Sequence, residues 1–184
     1  GYNYSNEYFQ QTLVRELKGT NSSRYPARFY TDWEARRDNV QPDWEVNLTL
    51  RNINIPRPYT NTYSRNASQR VEVGRDTSGK IIYRNVYATV NITRLSFTAN
   101  AEMEINIIEI VTRKSIVYNS VREDYRWQEE HATYNGDSRA LSANDWALIN
   151  NSYYNEPRKE DVLNELYRNI YPQVKNKITY AVDW

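Results

Sequence analysis

Between Tyr83 and Val121 the chain carries its longest run of alternating apolar and polar residues, a period that only extended strands with one covered face satisfy. Val86, Ala88, Val90 and Ile92 fall on every second position, with Tyr87, Thr89, Asn91 and Thr93 between them. The apolar positions then move by one to Leu95 and Phe97, as they do across a β-bulge, where one extra residue sends the following side chains to the other face. After Thr98-Ala99-Asn100 the alternation resumes at Ala101, Met103, Ile105 and Ile107. Arg113-Lys114-Ser115 then makes a polar connection of hairpin length before Ile116 and Tyr118. The segment reads as an antiparallel meander, a scaffold rather than a site.

The flanks supply helices and one more strand. Phe9, Leu13, Val14 and Leu17 form a helical stripe between Glu7 and Leu17, with Ser5 as a candidate N-cap and Gly19 just past the end. Arg24 to Tyr30 reads as a short strand, and Thr31-Asp32-Trp33-Glu34 has capping-box spacing for one helical turn to about Arg37. Trp44, Val46, Leu48 and Leu50 alternate with polar residues in a half-buried strand, which Pro56 and Pro58 end. Residues 57–80 form a polar insert, a hairpin or a loop, with a turn at Asp76-Thr77-Ser78-Gly79. Asn135-Gly136-Asp137 reads as a tight turn, and Ser142 with Asp145 caps a helix bearing Trp146 and Ile149. From Arg158 to Val182, Val162, Leu163, Leu166, Tyr167, Ile170, Val174, Ile178 and Ala181 mark an amphipathic helix in which Pro172 predicts a kink or a restart. The expected fold is α+β: a single domain over 1–184, with an antiparallel sheet of Trp44–Leu50, Val86–Phe97, Ala101–Val111 and Ile116–Tyr118. The N- and C-terminal helices pack on one of its faces.

Composition narrows the function classes. The 24 basic and 23 acidic residues nearly cancel, so no electrostatic footprint for nucleic acid exists. Without Cys there is no disulfide, thiolate ligand or thiol nucleophile, and with His131 as the one histidine a zinc site would have to be built from carboxylates. No metal and no cofactor are expected. No window reaches the roughly 20 apolar residues of a membrane helix. The sequence begins at Gly1 rather than Met, as a chain trimmed of a signal peptide or a lipid-bearing Cys would. A chain rich in Asn, Tyr and Thr and free of Cys fits an extracytoplasmic protein.

Catalytic motifs are sparse. Gly74-Arg75-Asp76-Thr77-Ser78-Gly79 lacks the glycine spacing and the Lys of a phosphate loop, and no GxSxG elbow occurs. The acids Glu123-Asp124 and Glu129-Glu130 are the candidates for a glycosidase pair, but they lie among charges that read more simply as a polar edge. Aromatics in or near loops are the remaining signal, and Tyr59, Tyr63, Tyr125 and Trp127 form the candidate binding surface. Six N-x-S/T triplets begin at Asn3, Asn21, Asn47, Asn66, Asn91 and Asn150; Asn47 and Asn91 fall inside expected strands, so these read mostly as accidents of composition.

The order of elements resembles the periplasmic lipoprotein domains of the CsgG and LpoB type. The resemblance rests on a short strand near Arg28-Phe29-Tyr30, on Pro42-Asp43-Trp44-Glu45-Val46 opening a strand, and on the Ala101 to Ile110 strand before a terminal helix. Val111-Thr112-Arg113-Lys114-Ser115 stands where that group has Asp and Gly. The stretch from Ala132 to Ser142, with Asp145-Trp146, resembles uncharacterised cell-envelope proteins of Bacteroidetes. These resemblances imply a non-catalytic accessory or interaction domain, periplasmic or outer-membrane-anchored, with a protein partner in the envelope. A carbohydrate-binding module is the alternative, and a glycoside hydrolase-like enzyme the second alternative.

Overall fold

The computed structural model describes residues 2–19, 27–151 and 155–182, with side chains from residue 8 to residue 181 within those ranges. In chain order the elements are helices α1 (Tyr2–Lys18) and α2 (Asp32–Arg37), then strands β1 (Trp44–Asn54), β2 (Tyr59–Arg75), β3 (Ile81–Glu109) and β4 (Lys114–Gly136). A 3-10 turn (Ser138–Ala140) and helices α3 (Ala143–Asn150) and α4 (Lys159–Val182) follow. The fold is α+β, an antiparallel four-stranded sheet with helices at both ends of the chain. β3 is central: β1 and β2 both pair with it antiparallel, and β4 pairs with it as well.

The chain forms two compact units, the first from 1–55, 99–125 and 157–184, the second from 56–98 and 126–156. β3 is unbroken from Ile81 to Glu109, so the expected interruption at Thr98-Ala99-Asn100 does not occur. Its change of parity does occur. Val86, Ala88, Val90 and Ile92 are buried, then Phe97, Ala99, Ala101, Met103, Ile105 and Ile107. No slip against β2 accompanies it, because the register holds from Tyr59↔Ser96 to Glu72↔Tyr83. The shifts lie instead between Arg51 and Asn54 on β1 and between Glu72 and Gly74 on β2. Asn52 takes φ 52 at the first, a left-handed conformation that Asn tolerates. The buried parity changes between Ile92 and Phe97, shortly before the chain passes from the second unit to the first after Thr98.

In the first unit α4 supplies the most deeply buried stripe. Val162, Leu166, Ile170 and Val174 are fully buried and Ile178 nearly so, at the three- and four-residue spacing of one helical face. Each such side chain removed from water contributes about 1.5–3 kcal/mol. The helix continues through Pro172. α1 lies against α4: the Phe9 ring meets Tyr167 at 5.3 Å and, edge-on, Tyr171 at 5.6 Å, and the Tyr171 hydroxyl donates to the Thr12 carbonyl at 3.2 Å. Lys175 adds an ion pair with Glu16 at 3.1 Å. α1 begins at Tyr2, so Ser5 falls inside the helix rather than at its cap, and Gly19 follows its end as expected. Residues 27–30 are irregular rather than a strand; the start of that expectation, 24–26, lies outside the described residues. α2 carries the expected capping box, with the Thr31 hydroxyl accepting from the Glu34 N–H and Glu34 accepting from the Thr31 N–H.

In the second unit the core is Ala67, Val86, Ala88, Val90, Ile92, Ala132, Ala140 and Leu141, with Val71, Trp146, Leu148 and Ile149 packed on it. The insert at 57–80 resolves into β2 and the turn at Asp76–Gly79, which leads into β3. It escaped the apolar period because a strand with one buried alanine among exposed neighbours offers almost none.

Candidate binding surface

The four aromatics singled out in the sequence all lie in strands, not loops, in keeping with the β-propensity of Tyr and Trp. Tyr59 and Tyr63 stand on the same side of β2, 72% and 38% exposed. Tyr63 also leans on its neighbours: its hydroxyl reaches Glu130 at 3.5 Å and the Arg94 guanidinium lies 5.6 Å from its ring. Arg94 in turn pairs with Glu130 at 2.5 Å. Trp127 is half-buried against Phe97, ring centres 5.5 Å apart. Tyr125, also half-buried, belongs to the first unit. Thus Tyr63 is joined to a charged pair, and Trp127 is a packing residue on one of its sides.

The acids that offered a hydrolase reading are engaged in the fold. Glu129 accepts from the Asn155 N–H at 3.0 Å, Glu130 holds Arg94, and Glu123 accepts from Gln173. His131 is half-buried in β4, and no cluster of three or more His, Cys, Asp or Glu that could hold a metal occurs among the described residues.

One feature escaped the sequence reading, and another was read there only as a helix cap. One side of the β2–β3 pair carries a ladder of small polar side chains: Thr62 meets Thr93 at 3.5 Å, Ser64 donates to Asn91 at 2.7 Å, and Thr89 donates to Asn66 at 3.5 Å. Thr62, Ser64 and Asn66 are exposed, and the run ends beside Tyr87, 64% exposed. The alternation of Thr, Ser and Asn at 62, 64 and 66 against 89, 91 and 93 was visible in the chain, but only the register makes them rungs.

The other feature is Asp145. It is 1% exposed, the one buried charged residue among those described. Its carboxylate accepts from the Ser142 N–H at 2.8 Å and the Ser142 hydroxyl at 2.7 Å, and pairs with Arg65 of β2. Burial alone would raise its pKa; the Ser142 hydrogen bonds and the Arg65 charge outweigh it and hold the carboxyl below its ordinary value. Asp145 therefore both caps α3 and fastens it to β2. Asp145→Ala is expected to destabilise the second unit by about 2 kcal/mol, from a lost cap and a lost charged hydrogen bond, as read by urea unfolding. Because the folded pKa is depressed, the stabilisation is complete above an unfolded-state value of about 4 and fades as pH falls through the folded one. Asp145→Asn should flatten that part of the acid limb; an unchanged acid profile would show that Asp145 does not contribute to it.

A cleft of about 1450 Å³ opens in the first unit between α1 and β1. Leu13, Val14, Leu17, Trp44, Val46 and Leu48 are among its apolar lining, and none of the four aromatics reaches it. No protein-family model, curated protein or solved structure matches the chain.

Proposed function

We propose that this chain is a non-catalytic extracytoplasmic interaction domain that receives a protein partner along the outer edge of β2. The observation that carries the reading is the one-sided pairing of β2. Among the described residues its strand pairing is with β3 alone, and over its 17 residues all side chains but Ala67 and Val71 are exposed. A strand paired on one side presents backbone N–H and C=O groups that accept another extended chain, with alternate side chains supplying selectivity. The chemistry around it agrees, since the rungs from Thr62 to Asn66 donate and accept hydrogen bonds but place no nucleophile beside a base. An envelope location, periplasmic or outer-membrane-anchored, is supported by the Cys-free, Asn- and Tyr-rich composition.

A photocrosslinking residue placed at Asn61 or Ser68, with Lys159 on α4 as the control, tests this in a native envelope extract. One defined protein adduct from the β2 positions and none from the control is the expected result. Absence of any adduct from β2 sinks the proposal. A carbohydrate-binding role is the second reading, favoured by the hydroxyl and amide rungs beside the exposed Tyr87 ring. Glycan-array binding that is lost in Tyr87→Ala, with no protein adduct, would establish that reading in its place.

A further inference from the structure

The end of the β2–β3 hairpin, from Arg70 to Arg84, combines exposed apolar side chains with unmatched positive charge. Val73, Ile82 and Tyr83 are 45%, 46% and 48% exposed. The register slips between Glu72 and Gly74, leaving Val73 as the extra residue, and Ile82 and Tyr83, neighbours in β3, stand on opposite faces of the hairpin end. This stretch holds four cations, Arg70, Arg75, Lys80 and Arg84, and two acids, Glu72 and Asp76. Both acids are occupied locally. Glu72 pairs with Arg75 at 3.8 Å, and one Asp76 oxygen accepts from the Ser78 N–H at 2.9 Å, the Ser78 hydroxyl at 2.6 Å and the Lys80 N–H at 2.9 Å. Among the described residues no ion pair joins Arg70, Lys80 or Arg84 to a carboxylate. Arg70 instead lies over the Tyr83 ring, 4.6 Å from its centre.

We propose that this hairpin end docks on the surface of an anionic phospholipid bilayer. Aliphatic and Tyr side chains beside Arg and Lys match the two layers of such a surface, acyl boundary and phosphate plane, and the long basic stems let the charges stay at the phosphates while the apolar groups enter. A protein partner is the poorer match. Three large apolar side chains at the end of two strands fall well short of the roughly 800 Å² per partner of a stable interface, and interface cores are depleted in Lys. This surface is separate in residues from the crosslinking positions Asn61 and Ser68, so either reading can fail while the other stands.

The test is co-sedimentation of the full chain with phosphatidylcholine vesicles, with and without phosphatidylglycerol, at low and high salt. Binding is expected only with phosphatidylglycerol, and it should weaken as salt rises. Arg84→Gln, which removes one cation near the surface, is expected to lower the partition constant about fivefold. Ile82→Ser should lower it several-fold at unchanged charge, and circular dichroism melts should show both variants folded. Equal binding to neutral vesicles, no binding at all, or an Ile82→Ser variant that binds like wild type would each overturn the proposal. So would lipid-free capture of one defined protein by a crosslinker at Ile82.

Discussion

Leu166→Asp is expected to abolish cooperative folding of the first unit. Leu166 is fully buried on α4, between Val162 and Ile170, which are equally inaccessible. The substitution removes a leucine whose loss alone costs about 2–5 kcal/mol and places a carboxylate with no partner where water does not reach. The two terms together exceed about 5 kcal/mol, comparable to the whole stability of a domain of this size. The far-ultraviolet melt should lose its sigmoidal transition. A variant melting within a few degrees of wild type would show that α4 is not core. Arg168→Asp, two residues on and exposed, is the matched control and should melt like wild type.

The elements most legible in the sequence were those whose signal is local. The two capping boxes, Thr31 with Glu34 and Ser142 with Asp145, appear where their spacing placed them, because each is a contact within one helical turn. α4 was equally plain, since its stripe of Val162, Leu166, Ile170 and Val174 repeats for several turns. What stayed hidden depended on partners distant in the chain. β2 has polar side chains on both sides for most of its length, and its strand character comes from its pairing with β3 rather than from a pattern of its own. The one-residue phase change after Ile92 was visible as a pattern. No slip in the β2 register accompanies it, and period alone does not say which pairing of β3 turns its covered side.

The surface residues divide in the same way. Exposed tyrosines were expected to mark the site, yet Tyr63 and Trp127 already have partners inside the second unit, in Arg94 with Glu130 and in Phe97. Tyr59, Tyr83 and Tyr87 are the more exposed aromatics of that unit's strands, and two of the three lie outside the set chosen from the sequence. An aromatic beside Asn and Thr in the chain does not reveal which strand face it occupies, and that face decides whether it packs or is presented. The buried Asp145 shows the converse. Its neighbours in the chain mark it as a cap, whereas the Arg65 that completes its environment is 80 residues away.

Gly136→Ala is expected to give the largest effect of any single methyl added to the second unit. Gly136 ends β4 with φ +115, a conformation that L side chains rarely adopt. A Cβ there would stand 2.7 Å from the Tyr87 carbonyl oxygen and 2.8 Å from the Ala88 Cα, both backbone atoms that cannot swing aside. The close approach has a structural purpose. It brings the Asp137 N–H onto that same Tyr87 carbonyl at 2.9 Å, and Asp137 then accepts from the Arg139 N–H at 3.0 Å to start the 3-10 turn. That turn delivers Ala140 and Leu141 into the core beside Ala67 and Ala88. Strain from the backbone angle and displacement of β3 together are expected to cost about 3–4 kcal/mol, read as a lower urea midpoint. Gly79→Ala separates the two causes. Gly79 has φ +82 but nothing within 4 Å of its added Cβ, so it carries the conformational cost alone, about 1–2 kcal/mol. Equal destabilisation by the two variants would mean that contact with β3 contributes nothing. A Gly136→Ala chain as stable as wild type would show that the close approach to Tyr87 does not hold the end of β4 against β3.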